Sequence, residues 1–404
     1  MTFSWVLATL VATRLTSTMA VDRHDLDMSN RYVVTLKPDA DVAKHLNMVR
    51  QLHTAANSQR EFGKRFEGIS HHYNISDFQG YAGHFDSGLI EHLKNHDAVE
   101  DVEPDQIWTA AGGMIAQANA PYGLSLISHK DLPRKAPEPD DGSYIYDESA
   151  GDGTYAYIID SGINMQNVEF DRRARKGYNA VKRDVAAWTD ESGHGTHIAA
   201  IIGGKTYGVT KRSTLIAVKV LRTEQGVMSQ ILDGYQWAAN DITTKRRAAV
   251  AVIDVAVYGP YSTAFNRAVD AASAKGVTTV ACAGNDNKNV AMSPASARTA
   301  ISVSATDANR ERATFANWGD HVDIWAPGVR IISANKGSRT AVGKGSGTAQ
   351  ASAFVAGLVL YFKKLKALPD ARATKAFLLR QAIPGVVTVP SGPKGAFAYN
   401  GSGK

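Results

Sequence analysis

Short apolar runs alternate with helix-spaced stretches in two separate parts of this chain. In the first part, Arg31-Tyr32-Val33-Val34-Thr35-Leu36-Lys37-Pro38 reads as a strand closed by a turn. Val42, Leu46, Val49 and Leu52 recur at helical spacing within residues 41–62. Residues 81–85 predict a strand, 89–95 a second helix, and 99–105 a last strand and turn. With one further strand taken to lie between the first helix and residues 81–85, the order is β-α-β-β-α-β, a small ferredoxin-like α+β unit over residues 21–110. From Gly151 onward, apolar strands at residues 155–160, 215–221, 249–257, 277–283 and 300–304 alternate with helical stretches. Such alternation predicts a parallel sheet covered by helices on both faces, a three-layer α/β domain over residues 111–404. Residues 109–150 carry Ala, Gly, Pro and charge clusters and read as linker plus domain entry. No internal repeat is visible.

Composition narrows the function classes. Of 404 residues, 44% are apolar, which is ample for a large core beside a smaller one. The net charge of +6 is mild, and no Lys/Arg block with interleaved aromatics occurs, which argues against a nucleic-acid partner. Residues 1–20 read as a secretory signal. An apolar stretch at 3–12 precedes small residues at Ser17-Thr18-Met19-Ala20, although Arg14 interrupts it and no basic start precedes it. No later stretch is long and apolar enough to span a bilayer, so no membrane partner is expected. Cys282 is the only cysteine, so no intramolecular disulfide can form. It sits in an apolar run and reads as a small core hydrophobe. Asn74-Ile75-Ser76 and Asn400-Gly401-Ser402 are glycosylation sequons that matter in a secreted chain. Eight of the twelve histidines (His24, His45, His53, His71, His72, His84, His92 and His96) precede Trp108. They form either a solvated surface or a group whose protonation near pH 6 loosens the first unit.

Four segments carry candidate chemistry. Tyr155-Ala156-Tyr157-Ile158-Ile159-Asp160-Ser161-Gly162 is an apolar strand ending in an acid and a glycine turn. In open parallel sheets, chemistry gathers at the carboxyl ends of strands. Taken alone, Asp-Ser-Gly is equally an ordinary turn. Ser192-Gly193-His194-Gly195-Thr196-His197 places two histidines at the start of a helix. The spacing is not that of a zinc helix. Ala283-Gly284-Asn285 follows a strand. Ser346-Gly347-Thr348-Ala349-Gln350-Ala351-Ser352-Ala353-Phe354-Val355-Ala356-Gly357 is the most specific run.

Together these segments resemble the subtilisin-like serine proteases (subtilases), in particular their proteinase K-like secreted fungal branch. The patterns are D-S/T-G, H-G-T-H-V-A-G, A-G-N and S-G-T-S-M-A-x-P-x-V-A-G. The resemblance implies that Asp160 orients the imidazole, that His194 is the general base, and that Asn285 donates to the oxyanion. His197 then reads as a packed structural histidine. The nucleophile position falls on Ala349, whose methyl cannot attack a carbonyl. In subtilisin itself, a relative of this family, removing the nucleophile costs about 10⁶ in kcat, or about 8 kcal/mol. Thr348 is present in active members, where it does not attack. Ser352 lies about one helical turn deeper, and Ser346 is on the approach loop. The resemblance also implies substrate-binding walls at Gly226, Val227 and Met228 and at Ala256, Val257, Tyr258 and Gly259.

Further features extend the likeness over nearly the whole chain. Val99-Glu100-Asp101-Val102-Glu103-Pro104-Asp105 matches the ending of inhibitor-type propeptides, which assist folding and plug the cleft with their tail. Gln117-Ala118-Asn119-Ala120-Pro121-Tyr122-Gly123-Leu124 resembles the start of mature enzymes, and residues 390–401 resemble their end. Asp323 in His321-Val322-Asp323-Ile324-Trp325-Ala326-Pro327-Gly328 matches a calcium-ligating acid whose partners in the branch are backbone carbonyls. A turn-capping role for it stands beside that reading. No other cofactor is expected, and the chain reads as a monomer. Gln350 replaces the usual Met, Ala353 the usual Pro, and Tyr258 a cleft glycine. An engineered Ser→Ala change would leave these neighbours untouched, so a natural, proteolytically silent homologue is expected. The alternatives are residual or rerouted peptidase activity, an engineered form of an active enzyme, and a His–Asp acid/base enzyme acting on a small carbonyl compound.

Overall fold

A computed structural model of the chain describes residues 29–58, 60, 65–106, 113–132, 142–181 and 188–404. The signal expected at residues 1–20, and His24, lie outside the described residues. The chain divides into two compact units, Met1–Ala111 and Gly112–Lys404.

The first unit runs β1 (Arg31–Leu36), α1 (Val42–Ser58), β2 (Gly68–Ile75), β3 (Phe78–His84), α2 (Ser87–Lys94) and β4 (Val99–Pro104). Its antiparallel sheet has the order β2-β3-β1-β4. The strand that the expected order requires between the first helix and residues 81–85 is β2. Its sequence alternates weakly, and His71 and His72 are both exposed. Asp86 caps α2 by accepting from the Leu89 N–H at 2.7 Å. Val34, Leu36, Val49, Tyr81, Phe85, Leu89 and Leu93 form a separate small core.

The second unit opens where a linker was expected. β5 (Met114–Ala120) pairs antiparallel with β6 (Gly142–Asp147), and α3 (Tyr122–Ser128) lies between them in sequence. Leu124, Leu126 and Ile127 of α3 are buried in the main core. Local composition hid this because Gln117, Asn119, Gly142 and Ser143 interrupt the apolar residues, while the ladder bonds come from a distant partner.

The remaining elements are β7 (Tyr155–Asp160), β8 (Ala174–Asn179), α4 (His194–Gly203), β9 (Thr214–Lys219), α5 (Met228–Thr244), β10 (Ala251–Val255), α6 (Thr263–Ser273), β11 (Thr278–Cys282) and β12 (Ile301–Thr306). They continue with β13 (Ile324–Pro327), β14 (Ile331–Ala334), β15 (Val342–Gly345), α7 (Thr348–Leu365), α8 (Ala371–Gln381), β16 (Ile383–Val387) and β17 (Gly395–Phe397). Nine strands form one sheet in the order β16-β17-β13-β12-β11-β10-β7-β9-β8. All its pairs are parallel except β16 with β17.

Strand alternation feeds two cores. Ala156 and Ile158 of β7 join the core that contains α4 and α7, whereas Tyr157 and Ile159 join the core of α5 and α6. This is why β7 reads as an unbroken apolar run rather than an alternating one. α7 is buried on all sides from Thr348 to Lys363, so its sequence is apolar almost throughout. Leu358 and Leu360 are fully buried, and truncating either to Ala costs about 2–5 kcal/mol. The chain leaves β7 toward β8 and β9 on one side and returns to β10 on the other. β7 therefore ends at a switch in strand order, where parallel sheets open a crevice.

Candidate active site

Asp160 is the last residue of β7 and is completely buried. Its Oδ1 accepts from the Ser161 N–H at 2.6 Å and from Ser161 Oγ at 3.1 Å. His194 opens α4, and its Nδ1 lies 2.8 Å from Asp160 Oδ2 and 3.0 Å from Oδ1. Its side chain remains 30% exposed, so the far nitrogen can meet a ligand. Burial opposes charge on His194. Asp160, by charge and hydrogen bond, with help from Asp190 and Asp254, outweighs it and raises the imidazole to about 9.

Two glycines bring the helix start this close. Gly193, the N-cap of α4, has φ of 92°, in the left-handed region. A Cβ on Gly195 would strike Gly162 O and come within 3.1 Å of Asp160 Oδ1. His197 faces away: it is buried, its Nε2 meets Ile331 O at 3.1 Å, and burial lowers it to about 4. It packs the helix and takes no part in the dyad.

Asn285 follows β11 through Gly284, whose φ is 101°. Asn285 Oδ1 accepts from the Thr348 N–H at 2.9 Å and from Thr348 Oγ1 at 3.0 Å. These two bonds fix the amide flip, so that Nδ2 is the outward donor. Ala349 is the second residue of α7 and is 6% exposed. The nearby hydroxyls are engaged elsewhere. Thr348 Oγ1 donates to Asn285 and accepts from the Gly284 N–H at 3.1 Å. Ser352 Oγ is buried and donates to Ala349 O at 2.9 Å. Ser346 Oγ accepts from the Arg330 N–H at 2.8 Å. Cys282 is buried in β11, and burial, with Asp254 second, pushes its thiol far up.

Of the segments expected to bind substrate, Gly226, Met228, Val257, Tyr258 and Gly259 line one cavity of about 230 Å³. Val227 is exposed and Ala256 is buried in the core, so neither lines it. Tyr258 follows the end of β10, and Gly284 follows the end of β11. The Tyr258 ring comes within 3.2 Å of where a Cβ on Gly284 would stand. Burial raises its phenol, against an opposing hydrogen bond to the Asn285 backbone.

Sequence reasoning missed Asp190. It is buried, and Oδ1 accepts from Ser161 Oγ and the Gly193 N–H, both at 2.8 Å. Oδ2 accepts from the Thr196 N–H at 2.8 Å and from Thr196 Oγ1 at 2.6 Å. One carboxylate thus ties the Asp160 turn to the first turn of α4. The available signal was an acid just before a glycine-opened helix, where the helix N-terminus favours negative charge. Also missed was buried Lys219, opposite Asp160 in the β7–β9 register. Its Nζ donates to Ser161 O at 2.6 Å and Thr189 O at 2.9 Å.

A strand-end acid bonded to a helix-start histidine, and a side-chain amide bonded to the start of α7, are the segments from which a subtilisin-type site was expected. The Subtilase family matches residues 151–403, and the Peptidase inhibitor I9 family matches residues 31–111. This chain belongs to the subtilase family. It is similar to Alkaline protease 1 of Aspergillus clavatus, with 42% identity over 92% of this chain and 91% of that protein. It is also similar to the Alkaline proteinase of Hapsidospora chrysogena, with 43% identity over 93% and 92%. A solved cold adapted subtilisin-like serine proteinase superposes with a TM-score of 0.63 at 33% identity, over 70% of this chain and 99% of that one.

The calcium expected at Asp323 does not fit the residues present. Asp323 Oδ2 accepts from the Ser302 N–H at 2.8 Å and from Lys375 Nζ at 2.7 Å. Among the described residues, no group of three or more His, Cys, Asp or Glu could hold a metal ion. Among them, too, no helix is long and apolar enough to cross a membrane. Of the two sequons, Asn74 is exposed. Asn400 is buried and donates from Nδ2 to Ile145 O at 2.7 Å.

Proposed function

We propose that this chain is a secreted, proteolytically silent subtilase that acts by binding a peptide or protein segment. The observation that carries the reading is Ala349. His194 Nδ1 pairs with Asp160 Oδ2 at 2.8 Å, Asn285 Oδ1 accepts from the Thr348 N–H at 2.9 Å, and the next residue of α7 offers only a methyl group. Acyl transfer needs an oxygen or sulfur within about 3–3.5 Å of the carbonyl carbon. Thr348, Ser352 and Ser346 each hold their hydroxyl in another bond. The remaining groups still suit binding. The residue 349 N–H and Asn285 Nδ2 can receive a carbonyl oxygen, and the cavity beside Tyr258 can receive an apolar side chain.

The first occupant on this reading is the chain's own inhibitor-type N-terminal unit. Active relatives release that unit by cutting it off. Without a nucleophile, this chain keeps it attached.

Labelling with a fluorophosphonate tests the proposal, because the probe reacts only with an activated hydroxyl. Above about pH 9, where the His194 imidazole is neutral, the wild type should remain unlabelled, and Ala349→Ser should label in a His194-dependent manner. Labelling of the wild type would overturn the reading. An Ala349→Ser chain that fails to label would contradict the claim that the rest of the machinery is retained.

A further inference from the structure

The cation position beside Asp323 is already filled by the protein itself. Lys375 Nζ lies 2.7 Å from Asp323 Oδ2 and donates to Ala300 O at 2.7 Å. A carboxylate and a main-chain carbonyl are the ligand types a calcium ion takes. Calcium asks for six to eight such oxygens at about 2.3–2.6 Å, whereas an ammonium is satisfied by three acceptors. The donor set here suits the smaller demand.

The position also has structural weight. Ala300 and Ser302 flank the start of β12, Asp323 precedes β13, and Lys375 comes from α8. Ser302 N–H and Lys375 Nζ both bind Asp323 Oδ2, so a single carboxylate oxygen links β12, β13 and α8. The two side chains are each 23% exposed, which removes much of the solvent screening that weakens surface pairs.

We propose that Lys375 Nζ replaces a metal ion as the structural cation at Asp323, so that calcium neither binds there nor stabilises this part of the fold. The test uses the full chain and thermal melting in excess EDTA or excess calcium. Any rise in Tm that calcium gives the wild type should be matched by the rise in Asp323→Asn. Lys375→Met keeps the stem but loses the ammonium, and should lower Tm by about 2–4 °C in EDTA. A calcium-driven rise that is larger in the wild type than in Asp323→Asn would overturn the proposal. So would a Lys375→Met chain that melts with the wild type.

Discussion

A methyl group at position 349 removes a lone pair but leaves the backbone N–H of the same residue in place. That N–H and the Asn285 amide are the two donors on which the proposed binding role rests. The His194 imidazole is one half of an ion pair with Asp160. Its pKa of about 9 lies above the ordinary 6.5, so His194 is charged at neutral pH. A raised histidine stabilises the folded state fully below 6.5, and that contribution is lost as pH rises through about 9. His194 should titrate near 9 by NMR, and the unfolding free energy should fall across pH 6.5–9. That fall should be absent in His194→Gln. His197 works in the opposite direction. Burial holds it neutral down to about 4, so its contribution is lost as pH drops from 6.5 toward 4.

Among the elements, α4 and α7 matter most, because each presents a functional position from its first turn. α4 is placed by Asp190, which accepts four hydrogen bonds from three residues. Asp190→Ala would strand those buried donors and should cost about 2–4 kcal/mol in urea unfolding. It should also lower the His194 pKa, an effect that loss of stability alone does not produce. Strands β7, β9, β10, β11 and β12 were legible because parallel strands buried on both faces leave long apolar runs. The Asp160, His194 and Asn285 segments were legible from their family patterns. β5 and β6 were not, since Gln117, Asn119 and Gly142 look like loop residues until a ladder partner is known. Lys375 and Asp190 were invisible for a related reason. A single charged residue gains meaning only from partners that the fold brings from other segments. Tyr258 was singled out from its departure from the family pattern, whereas its approach to Gly284 depends on how β10 and β11 end side by side.

The whole chain joins two units with separate cores. β5 runs through Gln117 and Ala118, which pair with β6 or extend that pairing, so cutting there must open a ladder. In the first unit, His45 is buried against Tyr81 and His96, and burial, then repulsion from His96 and His92, lowers it to about 4. That unit therefore loses stability as pH falls from 6.5 toward 4. Intact mass of the purified chain should show the N-terminal unit still attached, with no shortening on incubation. A time-dependent loss of that unit from pure protein would mean self-cleavage.

Turnover is the most direct measurement. Purified wild-type chain should hydrolyse casein and peptide esters no faster than the His194→Ala variant. Hydrolysis at an ordinary enzymic rate of about 1–10³ s⁻¹, abolished by His194→Ala, would contradict the account.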